Sequence, residues 1–244
     1  MSDMQILPDS GGLYQAAAEQ FVQLSTAAIA QRGWFAVALS GGSTPRPVYA
    51  LLATEPWAKR VDWSRIHVFW GDERCVPPAD SYSNYRLAHE ALLDHVPLSP
   101  ANIHRIHGED DPALAALAYE QELQSVFRTA SVPAFDLIWL GLGDNGHTAS
   151  LFPGTAALHE QRRWVVPQYV EVGTLWRVTF TAVLINAAAH ITFLVQGAGK
   201  AEMLWRVLKG LYQPEVLPAQ LIQPTQGQLH WLVDAAAAAR VQAA

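Results

Sequence analysis

The chain has 244 residues, of which half are hydrophobic and only 16% are charged, a composition typical of a folded globular protein and not of a disordered one. Its net charge of -6 and isoelectric point near 5.8 exclude the basic surface by which proteins bind nucleic acid, so an anionic substrate would need locally placed cations and backbone amides. The single cysteine, Cys75, excludes an internal disulfide and a multi-cysteine metal cluster, as is usual in a reducing cytoplasm.

The N-terminal segment Met1–Ser10 carries acidic residues and no apolar core, so we expect no signal peptide. No apolar run further along reaches the roughly 18 residues that a membrane-spanning helix needs. We therefore expect a soluble cytoplasmic protein with neither a nucleic acid nor a membrane as partner.

The first half of the chain alternates between helical and strand-like patterns. The predicted elements are a helix over Leu13–Ala28 that ends near Gly33, a strand over Trp34–Leu39, a helix over Pro45–Ala53 entered through Thr44, a strand over Ile66–Trp70, and a helix over Ser81–Leu93.

The second half continues this alternation. It predicts a helix with Asp111 as N-cap and Pro112 in its first turn that continues to Phe127, a helix over Met203–Leu211, and strands over Phe135–Leu140, Arg177–Thr181, Ile191–Val195 and Leu229–Val233. Alternating elements with continuously apolar strands predict an α/β fold, with a mostly parallel, Rossmann-like sheet and helices on both of its faces. Because no long linker or repeat interrupts the pattern, we expect one domain over residues 1–244.

Three predicted strands end in unusual polar loops, and the carboxyl ends of parallel strands are where such folds bind ligands. The first loop, Ser40-Gly-Gly-Ser-Thr-Pro45, opens a helix and is typical of either an anion site or an ordinary tight turn. The second, Gly71-Asp-Glu-Arg74, places three charges where they face a cleft or solvent more often than a core. Its arginine is suited to binding a phosphate or carboxylate.

The third loop, Leu140 to Pro153, carries His147 among the glycines Gly141, Gly143 and Gly146. Histidine is the side chain that gains and loses a proton near neutral pH, although a lone histidine is more often structural than catalytic. The strand before it and the glycines around it favour a catalytic role, and we expect a helix to start at Thr148.

Other reactive side chains are predicted to be structural. His104 and His107 lack the partners and spacing of a metal site. Arg74 beside Cys75 would lower the pKa of the thiol, but without a histidine nearby in sequence we interpret Cys75 as structural.

These loops together resemble the 6-phosphogluconolactonases of the glucosamine-6-phosphate isomerase/6-phosphogluconolactonase family. The similarity covers most of the chain, and Gly-Asp-Glu-Arg followed by Gly146-His-Thr-Ala-Ser-Leu-Phe-Pro153 is its most specific part. The remaining matches are Ser40-Gly-Gly-Ser-Thr-Pro45, Ser83-Asn84, Arg177-Val-Thr-Phe-Thr181, Gly197-Ala-Gly-Lys200 and Pro218-Ala-Gln-Leu-Ile222.

The resemblance implies the glucosamine-6-phosphate isomerase-like fold and hydrolysis of 6-phospho-D-glucono-1,5-lactone in the oxidative pentose phosphate pathway, with no metal and no organic cofactor. It implies that His147 is the general base that activates water and that Asp72 aligns or stabilises that site. The residues that it implies in binding the substrate are Gly42, Ser43, Thr44, Arg74, Asn145, Arg177 and Lys200.

One position departs from the family pattern, which usually has Asp directly before Gly-His where this chain has Asn145. A carboxylate there would orient and charge the imidazole, whereas an amide can only form hydrogen bonds. Whether Asn145 or the preceding Asp144 orients His147 is left open by the sequence.

Two alternatives differ in reaction class. A glucosamine-6-phosphate deaminase would have carboxylates at positions 145 and 152, where this chain has Asn145 and Phe152. A sugar-phosphate-sensing regulator would add a DNA-binding segment, for which we expect neither room nor charge in this acidic chain; a catalytically silent binding protein stays open because of Asn145.

Overall fold

The computed structural model describes residues 3–171 and 175–243. None of the helices in these two ranges combines the length and apolar character needed to cross a membrane. The strands are β1 Asp3–Leu7, β2 Phe35–Leu39, β3 Ile66–Trp70, β4 Asp72–Arg74, β5 Leu137–Gly141, β6 Val165–Val170, β7 Leu175–Phe180, β8 His190–Val195 and β9 Gln228–Asp234. The helices are α1 Ser10–Arg32, α2 Pro45–Leu52, α3 Asn84–Ala91, α4 Pro112–Phe127, α5 Ala182–Ile185, α6 Ala201–Lys209 and α7 Ala235–Gln242.

Six of the strands form one parallel sheet in the order β1-β9-β8-β5-β2-β3, which confirms the predicted α/β class. From β2 the chain moves to β3 on one side of the sheet and then to β5 on the other. The order therefore reverses beside β2, and the loops after β2 and β5 diverge there to leave a crevice.

Helices cover both faces of this sheet. On one face, Trp139 of β5 packs against Phe21 of α1 at 5.6 Å and against Tyr49 of α2 at 5.9 Å between ring centroids. On the other face, Phe69 of β3 packs against Phe127 of α4 at 5.7 Å. The core thus lies in two layers, with the sheet between them.

The other three strands form a second, antiparallel sheet in the order β4-β7-β6. The predicted strand Arg177–Thr181 is present as β7, but it belongs to this sheet and not to the parallel one. Gly71 joins the two sheets, because β3 ends one residue before it, β4 begins one residue after it, and its carbonyl accepts from the Phe180 amide at 2.8 Å.

Most predicted elements lie within a few residues of their observed bounds. Gly33, at φ 85°, ends α1, and the Asp111 side chain caps α4 as predicted. The helix expected from Ser81 begins only at Asn84, because Ser83 is its N-cap. Strand β1 was not predicted, since it is an edge strand of mixed polarity in which only one residue is buried.

Candidate active site

Residues of the loops that follow β2, β3 and β5 line one cleft of about 210 Å³. This volume is below the roughly 300–1,000 Å³ of pockets for drug-sized ligands, so the cleft suits a small substrate. Every site residue predicted from the sequence lines it except Asn145. These lining residues are Gly42, Ser43, Thr44, Asp72, Arg74, His147, Arg177 and Lys200.

A tight turn presents His147 to the cleft. The Gly143 amide donates to the His147 carbonyl at 2.8 Å, and Gly146 has a φ of 80°. A side chain at Gly143 would lie 2.0 Å from the Nδ1 atom of His147, so this position must stay glycine for the ring to keep its place. The helix expected at Thr148 is wrong, because Ala149 has a φ of 48°, which an α-helix does not allow.

Of Asn145 and Asp144, it is Asn145 that forms a hydrogen bond with the imidazole. Its Oδ1 accepts from the His147 amide at 3.2 Å and lies 2.6 Å from Nδ1 of the ring. Because Oδ1 can only accept, this contact assigns the proton of the neutral ring to Nδ1 and leaves the lone pair on Nε2. Asp144 instead forms an ion pair with Lys200, which lowers the pKa of Asp144.

Burial lowers the pKa of His147 to about 4. Nearby Arg177 and Lys200 lower it further, whereas Asp72 and Asp144 act in the opposite direction. At neutral pH the imidazole is therefore uncharged and able to accept a proton.

Asp72 is a buried carboxylate at the start of β4, only 5% exposed. One of its oxygens accepts from the Ser150 hydroxyl at 2.6 Å and the other from the Asn84 side-chain amide at 3.3 Å. The Nη1 atom of Arg177 lies 3.9 Å away. The Asp72 carboxylate thereby links the second sheet to the His147 loop through its bond with Ser150.

Arg74 and Arg177 lie opposite each other in the pairing of β4 with β7. The Nε atoms of both are buried without a hydrogen-bond partner among the described residues, and burial lowers the pKa of Arg177 below its ordinary value. Two neighbouring guanidinium groups with unused donors, close to Lys200, form a cationic wall in an acidic protein. Such a wall is suited to an anionic ligand.

The loop after β2 forms a tight turn at the N-terminus of α2. Gly42 has a φ of 108°, and the Thr44 side chain makes no capping bond. Because Pro45 and Pro47 have no N–H, the backbone donors of this turn are mainly those of residues 42–44. The Ser40 backbone is held below the turn by the hydroxyl of buried Tyr49, which donates to its carbonyl at 2.7 Å.

Glu73 and Asn84 support the site, although neither was predicted as a site residue. Glu73 is 3% exposed, and its carboxylate accepts from the Asn84 amide at 2.7 Å, the Tyr85 amide at 2.8 Å and the Ser83 hydroxyl at 3.0 Å. It therefore caps α3 from β4, whereas the charges of this loop were expected to face cleft or solvent. The Ser83-Asn84 pair in the sequence was the available signal, since Asn84 also lines the cleft.

The residues interpreted as structural lie away from the cleft. His104 is buried and stacks on Phe69 at 4.4 Å. Burial and Glu73 raise the pKa of Cys75 to about 11, so the proposed lowering by Arg74 is wrong. In the described ranges, no three His, Cys, Asp or Glu side chains are placed to hold a metal ion.

Comparison with known proteins gives consistent matches. Residues 8–231 match the family profile described as glucosamine-6-phosphate isomerases/6-phosphogluconolactonase. The chain is 42% identical to a 6-phosphogluconolactonase of Nostoc sp. over 98% of both chains, and 46% identical to one of Synechocystis sp. over 86% of this chain and 85% of the other. The solved structure of 6-phosphogluconolactonase from Trypanosoma cruzi superposes with a TM-score of 0.88 at 27% identity, covering 99% of this chain and 97% of that one.

Proposed function

Because this chain belongs to the family of glucosamine-6-phosphate isomerases and 6-phosphogluconolactonases, we propose that it hydrolyses 6-phospho-D-glucono-1,5-lactone in the pentose phosphate pathway, with His147 as the general base. The observation that carries this proposal is the arrangement around one imidazole. Nδ1 of His147 is hydrogen-bonded to Asn145, and His147 lines a small cleft together with Arg74, Arg177 and Lys200. Burial lowers the pKa of His147 to about 4, so the ring can accept a proton at neutral pH.

The proposed reaction begins when Nε2 of His147 removes a proton from a water molecule that attacks the lactone carbonyl carbon. The tetrahedral intermediate carries its negative charge on the former carbonyl oxygen. The imidazolium then returns the proton to the ring oxygen as the bond between that oxygen and the carbonyl carbon breaks, which yields the open hydroxy acid. Water is consumed, and His147 ends in its starting state.

Charge in the cleft fits both ends of this substrate. Arg74, Arg177 and Lys200 bind the phosphate and oppose the charge on the oxyanion, assisted by the turn at residues 42–44. Asp72 favours the protonated imidazole and so stabilises the intermediate in which His147 holds the proton.

A deaminase of the same fold is the less favourable alternative. The residues at the two positions where it would have carboxylates are Asn145, bonded to the imidazole, and Phe152, a buried ring stacked on it. Neither side chain can carry a proton for such a reaction.

The direct test is to add the purified protein to freshly generated 6-phosphogluconolactone and to follow loss of the lactone against the spontaneous rate. Acceleration is expected without added metal, and glucosamine 6-phosphate is expected to be stable in the same assay. Loss of lactone at the rate of the blank would refute the enzyme assignment and leave only a binding function. One domain over the whole chain and a cytoplasmic location stay predictions.

A further inference from the structure

Phe152 is the aromatic side chain in direct contact with the imidazole of His147. It is 7% exposed, its ring centroid lies 4.0 Å from that of the imidazole, and the two planes are inclined by only 16°. Its ring also lies 5.1 Å from the guanidinium carbon of Arg177. One ring therefore touches both the proposed base and one of the proposed anion-binding groups.

The backbone around Phe152 is fixed by several hydrogen bonds. Its carbonyl accepts from the Thr155 hydroxyl at 2.8 Å, and the Leu151 amide donates to the Thr148 carbonyl at 2.9 Å. The Gly154 amide donates to the Glu215 carbonyl at 3.1 Å. The ring is thus held by the fold and not only by the contact with His147.

We propose that Phe152 is a positioning residue which holds the His147 imidazole in its catalytic plane and keeps it neutral by excluding water from one of its faces. The inference rests on the proposed function, in which neutral His147 is the base. The contact with Arg177 adds a second effect. The Phe152 ring keeps the positive charge of Arg177 close to the imidazole, and this charge disfavours protonation of His147.

The charged groups around His147 come from four different segments. Asp72 on β4 and Asp144 in the His147 loop favour protonation, whereas Arg177 on β7 and Lys200 before α6 oppose it. An aromatic ring also attracts a stacked cation, which favours protonation as well. The pKa of His147 is nevertheless lowered, with burial as the largest cause, and Phe152 supplies part of that burial.

The test is the titration of the His147 ring by NMR, in which its signal is identified by its absence in His147→Gln. Wild type is expected to titrate near 4. Phe152→Leu is expected to titrate at least one pH unit higher, because water reaches the exposed ring face, whereas Phe152→Tyr keeps the stack and the wild-type midpoint. Phe127→Leu, which removes a ring on α4 away from the cleft, is the matched control and should leave the midpoint unchanged.

Activity provides the second readout. Between pH 8 and pH 4.5, kcat/KM of Phe152→Leu should fall at least about threefold more than that of wild type, as the neutral fraction of His147 drops. Recovery of the wild-type profile in Phe152→Tyr would support the role of the ring. An unchanged His147 midpoint in folded Phe152→Leu would overturn the inference, and Phe152→Met gives the same reading if the leucine variant does not fold.

The NMR result does not depend on turnover. If wild type fails to hydrolyse the lactone, the proposed function fails, while the titration still shows whether Phe152 controls the protonation of His147.

Discussion

The imidazoles of His147 and His67 both have a lowered pKa but lie in very different surroundings. Burial lowers the pKa of each to about 4. His67 lies on β3 with its Nδ1 atom 3.0 Å from Nε2 of His104, whose Nδ1 atom is 2.8 Å from a Glu122 oxygen. His147 instead lies on a glycine turn and lines the cleft.

The difference shows that a lowered pKa does not by itself identify a catalytic histidine. In the His67 region the shift follows from packing, since the Trp34 ring lies 5.0 Å from the imidazole and the polar atoms bond to one another. In the His147 region the same shift accompanies a cleft that this histidine lines together with Arg74, Arg177 and Lys200. Geometry, and not protonation alone, separates the proposed catalytic histidine from the structural one.

The largest expected effect contrasts these two histidines directly. His147→Gln should lower kcat at neutral pH by about 100-fold or more, because general base catalysis typically contributes that much. His67→Gln should keep kcat within about twofold, since it removes no group from the cleft. Equal loss in both variants, with both folded by circular dichroism, would contradict the distinction.

Removal of a cation from the cleft should have the next largest effect. Arg74→Ala is expected to raise KM by about 10–100-fold with a smaller change in kcat, the range that loss of a charged hydrogen bond gives. Arg105→Ala is the matched control, because Arg105 pairs with Glu109 and does not line the cleft. A KM unchanged in Arg74→Ala would mean that this arginine only supports the fold through its bond to the Tyr82 carbonyl.

A smaller effect is expected at the bond that orients His147. Asn145→Asp places a carboxylate beside Nδ1, which favours the charged imidazole and should raise the pKa of His147. The acid limb of kcat/KM should then move to higher pH, while the rate near pH 8 stays within a few-fold of wild type. Asn145→Gly, which removes the bond, should lower kcat without this pH shift. A lowered kcat with no pH shift in Asn145→Asp, together with a pH shift and an unchanged kcat in Asn145→Gly, would contradict the proposed role of Asn145.

The smallest effect concerns stability in the His67 region. The folded-state pKa of His67, about 4, lies below its ordinary value of 6.5. The unfolded chain therefore binds more protons in that window, and stability falls as the pH drops from 6.5 towards 4. His67→Phe should show a smaller decrease in Tm between pH 7 and pH 5 than wild type, measured by calorimetry; an equal decrease would show that His67 contributes nothing to it.

The sequence predicts the parallel sheet well because its strands are continuously apolar and the loops that follow them carry the polar groups. Strands β4 and β6 cannot be predicted in this way. Strand β4 has only three residues, all of them charged, and β6 is interrupted by Pro167. The positions of Arg74 and Arg177 follow from pairing between segments about a hundred residues apart, which no local pattern encodes. The same holds for the stack of Phe152 on His147, where the sequence gives proximity but not the face-to-face geometry.

The dependence of kcat/KM on pH in wild type tests the central claim, that neutral His147 is the base, most directly. Wild type is expected to lose activity with an apparent pKa near 4, the value that burial imposes on His147. The second ionisation of the substrate phosphate, with a pKa of about 6, is common to wild type and His147→Gln, whereas the limb near 4 should be absent from His147→Gln. A limb near the ordinary histidine value of 6.5 that is present in wild type and absent from His147→Gln, or a limb near 4 that persists unchanged in this variant, would contradict the account.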